Sequence, residues 1–148
     1  MRKRSRAALI LTYTIVLGIT LSVLIFFTYT LVLRTDYKST ALEINDAILS
    51  GCSMTISRGE DTFPATQETA DYYNRFLLLQ TDAFSRRSVP VTDKSIILRI
   101  GDNELSFTGL EDNSAIAVKW KTAADDKNYI VRSQITFLQL SAYFSNNY

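Results

Sequence analysis

The hydropathy pattern of this chain falls into two regimes. Residues 7–33, AALILTYTIVLGITLSVLIFFTYTLVL, contain no charged residue and no proline. A hydrocarbon core about 30 Å thick needs roughly 20 apolar residues in a helix, so the run is long enough to span one with some tilt. Lipid offers no hydrogen-bond partners, and a single spanning chain satisfies its own backbone only as an α-helix. Tyr13 and Tyr29 lie near the two ends of the run, where amphipathic rings favour the membrane interface. A buried core helix of this length would need far more protein around it than roughly a hundred further residues supply.

Beyond residue 33 the pattern turns amphipathic. In residues 34–50, Leu42, Ile44, Ala47, Ile48 and Leu49 recur at mixed three- and four-residue spacing, which predicts a short helix or stalk ended by Gly51. Met54 and Ile56 alternate with small polar residues as in a strand, and residues 58–64 read as a loop. Thr66 is placed to cap a helix over residues 67–81, with Ala70, Tyr73, Phe76 or Leu77, and Gln80 on one face, broadened by Leu78 and Leu79. Residues 82–94 read as a connection. Residues 95–132 hold the clearest β pattern: Ile96, Leu98 and Ile100 alternate, Leu105 and Phe107 follow a turn, and Ile116, Val118 and Trp120 share a face opposite Ala117, Lys119 and Lys121. Ser133 is placed to cap a last helix over 134–145, with Ile135, Leu138, Tyr143 and either Phe137 or Phe144 inward.

Short links between these strands require antiparallel neighbours. The expected fold is a single N-terminal transmembrane α-helix followed by a small α+β domain, an antiparallel β-meander of three to four strands flanked by two helices. The expected divisions are a basic cytoplasmic tail (1–6), a transmembrane helix (7–33), a juxtamembrane helix or stalk (34–52) and an extracytoplasmic domain (53–148).

Charge adds orientation. Of the 16 basic residues in 148, four are Arg2, Lys3, Arg4 and Arg6, so the rest of the chain carries 12 basic against 15 acidic side chains, a net −3. Lys and Arg are retained on the cytoplasmic side, which predicts the N-terminus inside and the domain outside. An acidic domain lacks the basic footprint that nucleic-acid binding needs. The apolar run is longer than the ~7–15 residues of a cleavable signal, so an uncleaved signal-anchor is expected.

The chain has no histidine and one cysteine. This excludes a Ser-His-Asp triad, an internal disulfide and a cysteine-based zinc site. Cys52 is expected as a small buried thiol at a helix end, with an intermolecular disulfide as the functional alternative. Leu49-Ser50-Gly51-Cys52 matches the lipoprotein processing pattern, but about twenty residues, several of them charged, separate it from the apolar run. The acidic pairs Glu60-Asp61, Glu111-Asp112 and Asp125-Asp126 fall in predicted turns without EF-hand spacing and read as solvated loops. Tyr72, Tyr73, Trp120, Tyr129 and Tyr143 read as core with polar tips, or as the lining of a ligand groove. Within the span, Thr14, Gly18 and Ser22 stand four apart, a small-residue stripe suited to helix–helix packing.

The layout of basic tail, long apolar helix and small outer domain resembles the general plan of pilin-like subunits. That resemblance covers architecture only. Pilin-like chains carry a glycine before the helix and an early glutamate within it; here Arg6 precedes Ala7 and no acid occurs in 7–33, so no functional residue is carried across. The function expected from the sequence is non-catalytic: a membrane-anchored binding or assembly component of a cell-envelope complex, with no cofactor. Its partners would be the lipid bilayer and a second copy or another membrane protein. A ligand- or peptide-sensing regulator, a histidine-free envelope enzyme and a pilin-like subunit are the alternatives.

Overall fold

The computed structural model describes residues 2–79, 83–111, 115–132 and 135–148. The chain divides into two units, one up to Val32 and the other Leu33–Tyr148. Helix α1 (Arg2–Leu49) contributes to both.

In the first unit α1 is bare: Arg6 to Tyr29 are all exposed, the large apolar side chains among them. It is one helix long and apolar enough, by length and composition, to cross a membrane. The six Ser and Thr hydroxyls of residues 7–33 bond back to the carbonyl four residues earlier, Thr12 to Ala8, Thr14 to Ile10, Thr20 to Val16, Ser22 to Gly18, Thr28 to Leu24 and Thr30 to Phe26, at 2.8–3.0 Å. A helix that spends its hydroxyls on its own backbone presents little polarity to an apolar surround.

The second unit is an antiparallel sheet with helices on one face. Its strands are β1 (Met54–Arg58), β2 (Asp61–Pro64), β3 (Ala83–Ser85), β4 (Ile96–Ile100), β5 (Asn103–Gly109), β6 (Ala115–Lys121) and β7 (Asp126–Arg132), in the order β2-β1-β4-β5-β6-β7-β3. Six are regular; β3 is a three-residue edge whose register to β7 shifts between Ala83 and Ser85. The sheet is therefore larger than the three to four strands expected. The β4–β7 meander is the part that alternation reveals, β1 joins β4, and β2 occupies residues read as loop. As an edge strand β2 needs hydrogen bonds on one side alone and tolerates Pro64.

Period-2 alternation sorts the sheet into two faces. Ile96, Phe107, Val118 and Tyr129 lie in register across four strands, beside the row Ile56, Leu98, Leu105 and Trp120, and all are buried. Three helices cover this face: α2 (Gln67–Leu79), α3 (Phe137–Asn147) and the second half of α1. The residues expected as a juxtamembrane helix or stalk are helical and continuous with α1, and Leu33, Tyr37, Ala41, Ile44 and Ile48 are each no more than 2% exposed in the common core. At about 1.5–3 kcal/mol for each large side chain fully buried, this stripe is a main contributor to the domain's stability. The other sheet face carries small and polar residues, with a minor cluster of Ala115, Ala117 and Ile130 against Val89 and Leu110.

Helix ends follow their local chemistry. Thr66 Oγ1 accepts from the Thr69 backbone N–H at 3.2 Å, as expected for the cap of α2. The cap of α3 is Thr136, in a reciprocal capping box with Gln139, and the helix begins at Phe137; Ser133 and Gln134, the expected cap and first residue, lie outside the described residues, as do Gln80 and Thr81 at the expected end of α2. α1 stops where Gly51 takes a positive φ of 73°. Several leucines depart from expectation. Leu42, Leu49, Leu78, Leu79 and Leu138 are exposed, because the buried stripes run through Tyr37/Ala41/Ile44/Ile48, Ala70/Tyr73/Phe76/Leu77 and Leu140/Phe144 instead.

Candidate functional site

Two features of α1 organise the polar chemistry of the domain. The first is a seam against the sheet. Asp36, Thr40 and Glu43, spaced four and three apart, fall on one helical stripe beside the apolar one. Tyr129 of β7 donates its phenol proton to Asp36, and its oxygen lies 2.9 Å from the Thr40 hydroxyl, which is left to donate to it. Arg86 approaches Asp36 at 3.2 Å. Trp120 of β6 donates its indole N–H to Glu43 Oε1 at 2.9 Å, and Lys127 bonds Glu43 Oε2 at 2.7 Å. Each carboxylate is thus held by one buried aromatic donor of the sheet and one cation at its rim.

The electrostatics follow from this geometry. The hydrogen bond from Lys127, then that from Trp120, holds the Glu43 carboxyl below the usual glutamate range. The same bond to Glu43 raises the Lys127 ammonium. Burial, followed by the bond to Asp36, pushes the Tyr129 phenol above its usual range; burial does the same to Tyr37 and Tyr73. Tyr37 donates to the Leu77 carbonyl at 3.2 Å and Tyr73 to the Leu140 carbonyl at 3.1 Å. The aromatic set is therefore core with bonded tips: Tyr73, Trp120 and Tyr129 are buried, while Tyr72 and Tyr143 stack 3.6 Å apart between α2 and α3.

The second feature is a groove of about 520 Å³ beside α1 and the end of α2, lined by Arg34, Thr35, Tyr37, Lys38, Ala41, Leu42, Leu77 and Leu78. Two smaller depressions are lined mostly by charged side chains, one by Asp36, Arg86, Asp125, Asp126, Lys127, Asn128 and Tyr129, the other by Glu68, Asp71, Tyr72, Arg75 and Tyr143. Among the described residues no three Cys, Asp or Glu side chains gather as a metal site. Asp126 pairs with Lys119 at 2.9 Å; Asp112 lies outside the described residues.

The residues singled out from sequence are placed as follows. Thr14, Gly18 and Ser22 are exposed on α1, and nothing lies within 4 Å of the position a Gly18 Cβ would take. Arg6 is exposed in the first turns of α1; the side chains of Arg2, Lys3 and Arg4 lie outside the described residues. Cys52 is exposed rather than buried, beside Gly101, with the Ser50 hydroxyl 3.2 Å from its sulfur. It sits past the end of α1, where no helix covers it. Sequence reasoning missed the seam. Its signal is the Asp36/Thr40/Glu43 spacing parallel to Tyr37/Ala41/Ile44, a polar stripe adjoining an apolar one.

No protein-family model matches this chain, and neither does a curated protein or a solved structure.

Proposed function

We propose that this chain is a single-pass membrane-anchored, non-catalytic component of a cell-envelope complex, with its N-terminus cytoplasmic and the domain outside. The observation that carries the reading is the division of α1: an apolar half whose Ser and Thr hydroxyls in residues 7–33 are self-bonded and whose residues from Arg6 to Tyr29 are all exposed, and a second half incorporated in the domain core. The seam supports a structural role for the domain's best-positioned acids, since Asp36 and Glu43 are engaged by Tyr129, Arg86, Trp120 and Lys127. A second reading, assembly of copies through the exposed helix in the manner of pilin-like subunits, is favoured by the same uncovered surface.

Exposed Cys52 supplies the test. In intact cells or protoplasts a membrane-impermeant maleimide labels it, and alkaline carbonate leaves the chain in the membrane. Crosslinking there, followed by identification of the adducts, separates a heterologous partner from a ladder of copies. A carbonate-soluble chain, or a Cys52 labelled only after lysis, overturns the proposal.

A further inference from the structure

We infer that the groove beside α1 and the last turn of α2 is a seat for an anionic phospholipid of the bilayer in which the chain is anchored. The inference deepens the anchoring reading and rests on it. Three observations carry it.

The first is position. Arg34 is the first charged residue after the apolar run, and along a helix Lys38 lies about 8 Å beyond Leu33. Headgroup regions extend roughly 5–8 Å beyond the hydrocarbon, within reach of a lysine that snorkels. The run makes about 40 Å of helix. This is enough to cross an about 30 Å core and carry Arg34 into the interfacial region.

The second is the direction of α2. Asn74 bonds Asn45 at 2.7 Å and Tyr37 bonds the Leu77 carbonyl, so α2 runs back along α1 with its C-terminal end at the level of residue 37. That end carries Leu78 at 43% and Leu79 at 70% exposure, with Leu42 at 49% across the groove. A helix whose buried face is already satisfied by Ala70, Tyr73, Phe76 and Leu77 has no internal use for two further leucines.

The third is complementarity. The wall formed by Arg34 and Lys38 is cationic, and the wall formed by Leu77 and Leu78 is apolar. The groove thus offers a cation to a phosphate and, with Ala41 and Leu42, an apolar surface to the start of an acyl chain. A lysine such as Lys38 near an anionic surface is attracted to it. The rest of the domain is net acidic, so its attraction to such a surface is local to basic side chains such as these.

The test uses the full chain in vesicles of phosphatidylcholine alone or with phosphatidylglycerol. In a Cys52→Ser background, single nitroxide labels at Leu79→Cys, Val23→Cys and Asp102→Cys report depth by collision with oxygen against a water-soluble nickel chelate. With phosphatidylglycerol present, the label at 79 is expected at interfacial depth, that at 23 deep and that at 102 in water. Lys38→Gln is expected to raise nickel access at 79 several-fold without moving 23. A deep label at 23 with a fully wet label at 79 overturns the seat and leaves anchoring standing. A wet label at 23 overturns anchoring itself. Equal depth at 79 in both lipids, unchanged by Lys38→Gln, overturns the anionic ligand. Dipolar broadening between labels at 79 puts a second copy in the groove and overturns the lipid.

Discussion

The indole N–H of Trp120, on the inner face of the sheet, ends on the carboxylate of Glu43, which α1 brings to 2.9 Å. Trp120 is 1% exposed, so this donor has no water to turn to. Its partner is also the acceptor for Lys127 at the rim, where the Lys127 and Glu43 side chains are 25% and 44% exposed. One carboxylate thus serves a buried bond and a surface ion pair, and the two differ in worth.

Removing the buried bond costs more than removing the ion pair. Glu43→Ala leaves the Trp120 donor unsatisfied, a penalty of about 1–3 kcal/mol. Lys127→Ala removes an exposed pair worth about 0.2–1 kcal/mol. Glu43→Gln keeps an acceptor for Trp120 and is expected to fall near the Lys127→Ala value. Urea denaturation of the three variants checks the ranking. Equal losses for Glu43→Ala and Glu43→Gln would show that Trp120 does not depend on this acceptor.

The same pair sets a pH signature. Glu43 titrates below its ordinary value of 4.5 in the folded state, so its contribution is present above that pH and is lost as pH falls through the folded value. Lys127 titrates above its ordinary 10.5, so its contribution is present below that pH and is lost as pH rises through the folded value. The stability difference between the native chain and Glu43→Gln is therefore expected to be flat between these limits and to shrink below pH 4.5. Denaturation at a series of pH values reads it directly. A difference that persisted unchanged at the acid end would mean the pairing does not couple to folding.

Cutting the chain at the boundary the sequence draws destroys the domain. A fragment of residues 53–148 lacks Leu33, Tyr37, Ala41, Ile44 and Ile48, all core side chains. It also lacks the acceptors of Trp120 and Tyr129. It is expected to be unfolded or aggregated, whereas residues 33–148 fold, as circular dichroism and thermal melting will show. For the same reason, processing at Cys52 would remove a core element. A cooperative melt from the shorter fragment would overturn this view of α1.

How far the sequence speaks depends on whether each residue's partner is visible to local pattern. Ile116, Val118 and Trp120 announce a strand because one face is buried and the other wet, and the cap at Thr66 needs nothing beyond the next three residues. β2 stays hidden because Pro64 signals a loop unless the strand is known to be an edge. The second half of α1 reads as a solvated stalk because Asp36 and Glu43 look like surface charge. They face the domain, but Tyr129 and Trp120 come 93 and 77 residues later. The leucine run 77–79 conceals its own register, since three consecutive leucines fit any face. What could not be read locally is, in each case, a contact made across the sheet or at its rim.

At the end of β5, Gly109 lies under the ring of Phe137, the first residue of α3. A Cβ at Gly109 would stand 2.5 Å from Phe137 Cδ1 and 2.7 Å from Cγ. These are atoms near the stem of the side chain, so the ring cannot swing clear without moving the helix. Gly109→Ala is expected to destabilise by about 1–3 kcal/mol, the range for forcing extra volume into packed structure. Gly109→Ala with Phe137→Ala should recover part of that loss, because the clash is gone. A double-mutant cycle measures the coupling; additive effects would show that the close approach carries no strain.

Gly18 offers the opposite case. A side chain there meets nothing within 4 Å, and the residue lies outside the unit that contains the core. Gly18→Leu is therefore expected to leave the thermal melt of the domain unchanged. Its effect is confined to what approaches the helix from outside. If Thr14, Gly18 and Ser22 form the surface where a second helix packs, leucine at the centre holds the two backbones apart, because close approach is what small residues allow. Self-association in a membrane two-hybrid reporter should fall several-fold. Gly18→Ala, which preserves a small surface, should lose little. An unchanged signal with leucine would remove the stripe as the meeting surface, and a shifted domain melt would show that the residue reports on folding instead.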